Sequence, residues 1–254
     1  MSLNMCADQL LLALADPGQI AGLSRFARDP RLNALADAAA AYPTAPAAAE
    51  AVLMLKPDLV LTGGFTPAAT RDLLAAQGIR LGEVDSVESI DAARDQIRTL
   101  AATLGHPERG DALIAQIDAA LARARAEVNG AGRTALYLQR RGYVSGARTL
   151  VGDLLARLGF TSAAGAFGVG SVGAVPLERL VADPPDILIL GALDRTAEDQ
   201  GTVLLAHPAL ARSVDRAGVV EFPEILSICG GPVLPRAITT LADGLAAHPA
   251  RPRK

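Results

Sequence analysis

Two glutamates stand at the same place in two copies of one sequence phrase. Glu50 opens EAVLMLKPDLVLTGG, and Glu178 opens ERLVADPPDILILGA, 128 positions later. A pair of carboxylates can act as the acid and base of a glycosidase, but only where the two groups lie within about 10 Å of each other. Carboxylates in separate copies are too far apart to share one reacting atom, so we do not interpret this pair as catalytic.

Other motifs that support catalysis or cofactor binding are absent. The chain contains no G-x-S-x-G elbow, no G-x-x-x-x-G-K-[ST] phosphate loop and no H-E-x-x-H pair. Its three histidines, His106, His207 and His248, lack the clustered spacing of metal ligands. We therefore expect no enzyme activity, no cofactor and no free metal ion.

Composition excludes two further classes of protein. The 24 Lys and Arg residues are scattered among 27 Asp and Glu residues, which gives a formal charge of −3 and no basic patch for nucleic acid. Half of the residues are hydrophobic, but no run reaches the roughly 18–20 apolar residues of a membrane span. We expect a soluble chain, long enough to form two hydrophobic cores.

The repeated phrase predicts the elements around the two glutamates. In each copy a short apolar-periodic run is broken by Pro-Asp and followed by a continuous aliphatic run that ends at Gly, which is typical of a helix, a turn and a buried parallel strand. Helices and strands alternate in this way along the chain, so we predict an α/β fold. We place an N-terminal lobe at 1–105, a connecting helix within 106–129, and a C-terminal lobe at 130–254.

Four blocks in this order resemble the class III periplasmic solute-binding proteins, the receptors of ABC importers for vitamin B12, ferric siderophores and heme. The blocks are SLNMCADQLLLALADPGQIAGLS, AEAVLMLKPDLVLTGG, GIRLGEVDSVESIDAARDQIRTLAATLG and YVSGARTLVGDLLARLG. The resemblance covers essentially the whole chain. It implies two similar doubly wound lobes joined by one long helix, with a ligand cleft between the lobes. It also implies a monomeric receptor in the periplasm, and we expect its leader peptide to have been removed.

The resemblance also implies which residues bind ligand and partner. Glu50 and Glu178 match the surface glutamates that dock on the two permease subunits of the importer; otherwise each is a favourable partner of its helix dipole. The loops expected at the cleft carry aromatic rings and guanidinium groups, which suit a bulky ligand with negative charge. These ligand-binding candidates are Cys6, Arg25, Phe26, Arg28, Tyr42, Phe65, Arg140, Arg141, Tyr143, Cys229 and Arg236.

Several ligands and one other class of function stay open. The arginines favour an anionic ferric siderophore, heme could use Tyr42 or Tyr143 as an axial ligand, and a corrinoid such as vitamin B12 is the third choice. The alternative function is a cytosolic α/β enzyme or a metallocluster-binding domain of nitrogenase-like fold, although two cysteines are few for a cluster.

The two cysteines have three interpretations. By the resemblance, Cys6 and Cys229 lie on cleft-side loops of opposite lobes. They could form a disulfide in an oxidising periplasm, stay as unpaired buried thiols, or act as soft ligands for a metal.

Overall fold

Helices and parallel strands alternate along most of this chain, as the sequence predicts. The computed structural model describes residues 1–191 and 218–248. The helices are α1 Met5–Leu14, α2 Ala36–Ala39, α3 Ala49–Met54, α4 Ala68–Ala76, α5 Ile90–Leu104, α6 Pro107–Glu127, α7 Leu150–Arg157, α8 Leu177–Ala182 and α9 Leu234–Ala246. The strands are β1 Leu23–Ser24, β2 Thr44–Ala45, β3 Leu59–Thr62, β4 Arg80–Glu83, β5 Thr134–Leu138, β6 Tyr143–Ser145, β7 Thr161–Ser162, β8 Val172–Ala174, β9 Ile187–Gly191 and β10 Gly218–Phe222. The helices predicted around TVLLAHPAL lie outside the described residues.

The chain forms two compact units. The first contains Met1–Val87, Asp91–Gln116 and Ile228–Leu234, and the second contains Glu88–Ile90, Ile117–Ser227 and Pro235–Lys254. The change from the first unit to the second within α6 falls between Gln116 and Ile117.

The first unit is built on short parallel pairings. Strand β1 pairs with β2, and β3 pairs with β4, both in parallel. Ser2 forms a parallel bridge with Leu61, which places the chain start beside β3. Apolar side chains from these strands and from α3 and α4 form one core cluster, whose buried members are Met1, Leu3, Ala45, Ala49, Val52, Val60 and Leu74.

The second unit contains a larger mixed sheet. Its strand order is β10-β9-β5-β6-β8, and β7 also pairs with β5. Strands β10, β9, β5 and β7 run parallel, whereas β6 and β8 are joined in antiparallel fashion. A parallel sheet with an antiparallel edge is common in α/β proteins. The five residues of β9 are all buried, which explains their uninterrupted aliphatic sequence.

The repeated phrase forms the same elements in both units. Helix α3 begins and ends 128 residues before α8, and β3 begins 128 residues before β9. In the second copy Asp186 accepts hydrogen bonds from the backbone N–H and the hydroxyl of Thr134, at 2.7 and 2.9 Å, and so fixes the start of neighbouring β5. The prediction of helix, turn and buried strand is confirmed.

The long helix predicted within 106–129 is α6, with 21 residues. Its start packs closely on α5, because a Cβ atom added at Gly110 would lie 2.6 Å from the Cβ of Ala101. Charged residues recur along α6. In the ranges 1–191 and 218–248, no helix has both the length and the apolar character needed to cross a membrane.

Candidate ligand-binding site

A cavity of about 1020 Å³ lies within the first unit. Most of its walls are the segments that follow Leu3, β1, β2, β3 and β4, so they gather at the carboxyl ends of parallel strands, and Ile228 adds to the lining. That edge is where α/β sheets commonly bind ligands, because the loops there can vary while the strands hold them in place.

Asn4 fixes two of the cavity walls. It is the N-cap of α1, and its side-chain oxygen accepts hydrogen bonds from the backbone N–H groups of Cys6 and Ala7, at 3.1 and 2.9 Å. Its Nδ2 donates to the carbonyl oxygen of Val84 at 3.2 Å, just beyond β4. One side chain therefore joins the first turn of α1 to the end of β4.

The loop after β3 approaches the same point. A Cβ atom added at Gly63 would lie 2.8 Å from the carbonyl oxygen of Val84 and 2.9 Å from Nδ2 of Asn4, so only glycine fits without displacement. The next residue, Gly64, donates its backbone N–H to Oδ1 of Asp85 at 2.7 Å. These contacts hold three wall segments in fixed register.

The segment after β1 depends on a buried carboxylate. Asp8 of α1 is fully buried and accepts hydrogen bonds from the hydroxyl of Ser2, from the backbone N–H of Ser24 at 2.8 Å and from the hydroxyl of Ser24 at 2.5 Å. Burial raises the pKa of the Asp8 carboxyl group, and these hydrogen bonds partly oppose the shift. Ser24 in turn accepts from the backbone N–H of Phe26, which lines the cavity.

The cavity lining is mostly apolar or small. Among the described residues that form it, Arg25 and Asp85 are the only charged side chains, and none is His or Tyr. The guanidinium carbon of Arg25 lies 4.7 Å from the centroid of the Phe26 ring. Phe65 is 98% exposed. An aromatic ring left this open on a cavity wall is available to a ligand.

Four sequence-predicted site residues are therefore brought together in this cavity: Cys6, Arg25, Phe26 and Phe65. Arg28 and Tyr42 lie in the same unit but are not among the lining residues; Arg28 donates through Nη2 to the carbonyl oxygen of Tyr42.

Three more of the predicted site residues lie close together in sequence, in the second unit. Arg140 and Arg141 form a 3-10 turn with Gly142, and Tyr143 starts β6 with 46% of its surface exposed. Arg141 adopts a left-handed backbone conformation, with φ 59°. The backbone N–H of Arg140 donates to Oε1 of Glu224 at 3.3 Å. Arg236 is exposed on α9, also in the second unit.

The cysteines form a disulfide, with the two sulfur atoms 2.12 Å apart. Of the three interpretations, the unpaired thiols and the soft metal ligands are wrong. The prediction that the two cysteines lie on opposite lobes is also wrong, because Cys229 belongs with Cys6 in the first unit. The chain returns to the first unit at Ile228–Leu234, and no pattern in the neighbouring sequence predicts this return. Cys6 lines the cavity, whereas Cys229 is buried behind it.

Sequence reasoning missed Asn4 and Asp85. An Asn directly before an apolar-periodic run is a helix N-cap signal and could have identified the first. Asp85 follows the short strand β4, at the edge where ligands bind. In the part of the chain that the structure describes, no group of three or more His, Cys, Asp or Glu side chains is placed to hold a metal ion.

The sequence profile described as periplasmic binding protein matches residues 1–214. This chain belongs to the periplasmic binding protein family. The resemblance found in the sequence is thereby confirmed, and members of this family are binding proteins. Membership also indicates a location outside the cytoplasm.

Known proteins similar to this periplasmic binding protein include a cobalamin-binding protein of Halobacterium salinarum. The two are 24% identical over 217 residues, which cover 84% of this chain and 59% of the relative. The chain thus spans about three fifths of the length of that curated relative.

Solved structures give the same fold for the binding protein. The apo periplasmic heme-binding protein RhuT from Roseiflexus sp. RS-1 matches with a TM-score of 0.75 and 26% identity, over 97% of each chain. The periplasmic heme-binding protein HutB of Vibrio cholerae matches with a TM-score of 0.76 and 17% identity, over 98% of each chain. The α/β architecture predicted from sequence is confirmed.

Proposed function

We propose that this protein is a solute receptor that captures a metal tetrapyrrole, either heme or a corrinoid, and delivers it to an ABC importer from the periplasm. The observation that carries the proposal is the first-unit cavity. Its volume of about 1020 Å³ and its largely apolar lining, with the exposed ring of Phe65, suit a bulky, flat, mostly apolar ligand.

The charges in the cavity distinguish between the possible ligands. Arg25 and Asp85 contribute one positive and one negative charge to the described lining. A strongly anionic ferric siderophore would require an excess of positive charge, which these two residues do not provide. Arg25 alone can pair with one carboxylate at the rim of a tetrapyrrole, while Phe26 and Phe65 contact its apolar surface.

The relatives support the same ligand class. RhuT and HutB are heme-binding proteins and the Halobacterium salinarum relative is a cobalamin-binding protein. Heme and cobalamin share a metal-centred macrocycle built from four pyrrole-derived rings. A cavity that selects for this shape rather than for high charge can hold either ligand.

In this proposal Glu50 and Glu178 dock the receptor on the importer. Both are exposed in the first turn of their helices, at positions related by the same offset of 128 residues as the helices themselves. Two matched carboxylates on two similar units provide two charged anchors for a permease with two subunits, where each would meet a cationic side chain. A receptor role of this kind requires binding and release without catalysis.

Titration of purified, oxidised protein tests the ligand class. Hemin, cyanocobalamin and a ferric tris-catecholate siderophore, which is strongly anionic, are each equilibrated with the protein across a dialysis membrane, and the bound ligand is measured by its absorbance. We expect hemin to bind with a Kd of about 1 μM or tighter, near −8 kcal/mol, and the ferric catecholate to bind at least a hundredfold more weakly. Tight binding of the catecholate alone would replace the proposal with a siderophore receptor, and binding of none of the three would reject it.

A further inference from the structure

The segment Ile228–Leu234, here named the strap, belongs to the first unit although the residues before and after it in the chain belong to the second. It has the sequence ICGGPVL. Two adjacent glycines lie in it, directly after the disulfide-bonded cysteine.

The strap is closely packed against the first unit. Cys229 is 1% exposed and bonded to Cys6 at the start of α1. A Cβ atom added at Gly230 would lie 2.1 Å from Cγ2 of Val87, so this glycine permits the close approach. Gly231 lies against Leu10, where an added Cβ atom would be 3.3 Å from Cδ2.

The strap also contributes to the cavity. Ile228 lines it, one residue before the disulfide, and Cys6 lines it at the other end of the same bond. The covalent link is therefore directly behind one part of the cavity wall. Its two cysteines are 223 positions apart in sequence, so the chain alone does little to keep Ile228 at this place.

We propose that the Cys6–Cys229 disulfide is a positioning bond for ligand capture: it holds Ile228 in the cavity wall, so the receptor binds its ligand well only when oxidised. The identity of the ligand rests on the function proposed above, whereas the role of the strap rests on the packing of the first unit. Reduction by a dithiol of the thioredoxin class transfers two electrons and two protons to the disulfide, gives two thiols, and leaves the reductant as a disulfide. The strap is then held by packing alone.

Partial detachment of the strap has a direct effect on affinity. If Ile228 is in place in only one tenth of the molecules, the apparent Kd rises about tenfold, because it equals the intrinsic Kd divided by the fraction of molecules that can bind. At the same ligand concentration, a reduced chain would then be less occupied than an oxidised one.

The test compares three variants with the oxidised wild-type protein, using hemin as the probe. The double variant Cys6→Ala/Cys229→Ala removes the bond, and Ile228→Ala removes the wall side chain while the bond stays. Val233→Ala is the matched control, because Val233 is buried in the same strap and is not among the cavity-lining residues. Circular dichroism and thermal unfolding establish that each variant is folded at the temperature of the titration.

We expect about a tenfold weaker hemin affinity for the double variant, about three- to tenfold for Ile228→Ala, and less than twofold for Val233→Ala. A folded double variant that binds hemin as tightly as the wild type overturns the proposal. If the double variant does not fold, equal affinities of Ile228→Ala and Val233→Ala overturn it.

Hydrogen exchange separates this proposal from the proposed function. If oxidised wild-type protein binds none of the three probe ligands, the proposed function fails. The role of the disulfide is then tested by the exchange rates of backbone amides alone. Faster exchange at 5–7 and 228–231 in the double variant, with unchanged exchange in α7, supports the positioning bond. Unchanged exchange at both places overturns it.

Discussion

The carboxylate of Asp8 accepts hydrogen bonds from both the backbone N–H and the hydroxyl of Ser24, at 2.8 and 2.5 Å. This pair joins the first turn of α1 to the end of β1, directly before cavity-lining Arg25 and Phe26. Because the carboxyl group is buried, its pKa is raised, so the folded state holds this proton more tightly than the unfolded chain does.

Asp8→Asn should therefore change how stability depends on pH. A raised pKa means that the contribution of Asp8 to the free energy of unfolding is fully present below the unfolded value of 3.8 and declines as pH rises through the folded value. Asn is neutral at every pH and can keep the contacts with Ser24. We expect the difference in melting temperature, Asn variant minus wild type, to increase from pH 4 to pH 7. A difference that is constant across this range would contradict the assignment.

Asn4→Ala should weaken ligand binding more than an equivalent cap lost elsewhere. The variant loses the α1 cap, for about 1 kcal/mol of stability, and also the bond to Val84 that fixes the end of β4. Thr149→Ala is the control, since Thr149 caps α7 in the second unit through a 3.1 Å bond from Gly152 N–H. Chemical denaturation should show a loss of stability for both variants, larger for Asn4→Ala, which also loses the bond to Val84, while hemin titration should show lower affinity for Asn4→Ala alone. Equal affinities would remove Asn4 from the site.

Phe65→Ala should reduce affinity without reducing stability. The ring is 98% exposed, so its removal should alter the free energy of unfolding by less than about 0.5 kcal/mol. Loss of its contact with a flat ligand should reduce binding by about 1–2 kcal/mol, or roughly five- to thirtyfold. Val172→Ala, which removes an apolar side chain that is 60% exposed in the second unit, is the comparison. Hemin affinity that falls equally in both variants would show that Phe65 has no special contact.

Glu50→Ala and Glu178→Ala should impair transport but leave ligand binding intact. Each side chain is exposed, and the interaction it offers is a charged contact that steers docking and weakens with salt. We expect partial loss of uptake in vesicles reconstituted with the cognate importer for each single variant, and near-complete loss for the double variant. Asp72→Ala, an exposed acidic residue on α4, is the control. Normal uptake by the double variant would return both glutamates to simple partners of their helix dipoles.

Elements that depend on residues close together in the chain could be predicted from the amino-acid sequence. Pro57-Asp58 and Pro185-Asp186 interrupt their helices. The aliphatic runs after them are short and end at Gly, which favours buried strands, so α3 with β3 and α8 with β9 were predictable within a window of about 15 residues. The length of α6 followed from apolar spacing in the same way. The loops after β1 and β3 were also expected at the cleft, because the resemblance to the family implied them.

Contacts between residues far apart in the chain could not be predicted in this way. Cys6 and Cys229 join across 223 positions, and Asn4 reaches Val84 across 80. Arg28 shares its loop with cavity-lining Arg25, yet it bonds to Tyr42 instead of lining the cavity. Composition and periodicity report on residues that are close in sequence, whereas these pairings depend on how α1, β4 and the strap pack together. For that reason the sequence could indicate a ligand receptor of this family, and the packing alone could show which side chains form the cavity wall.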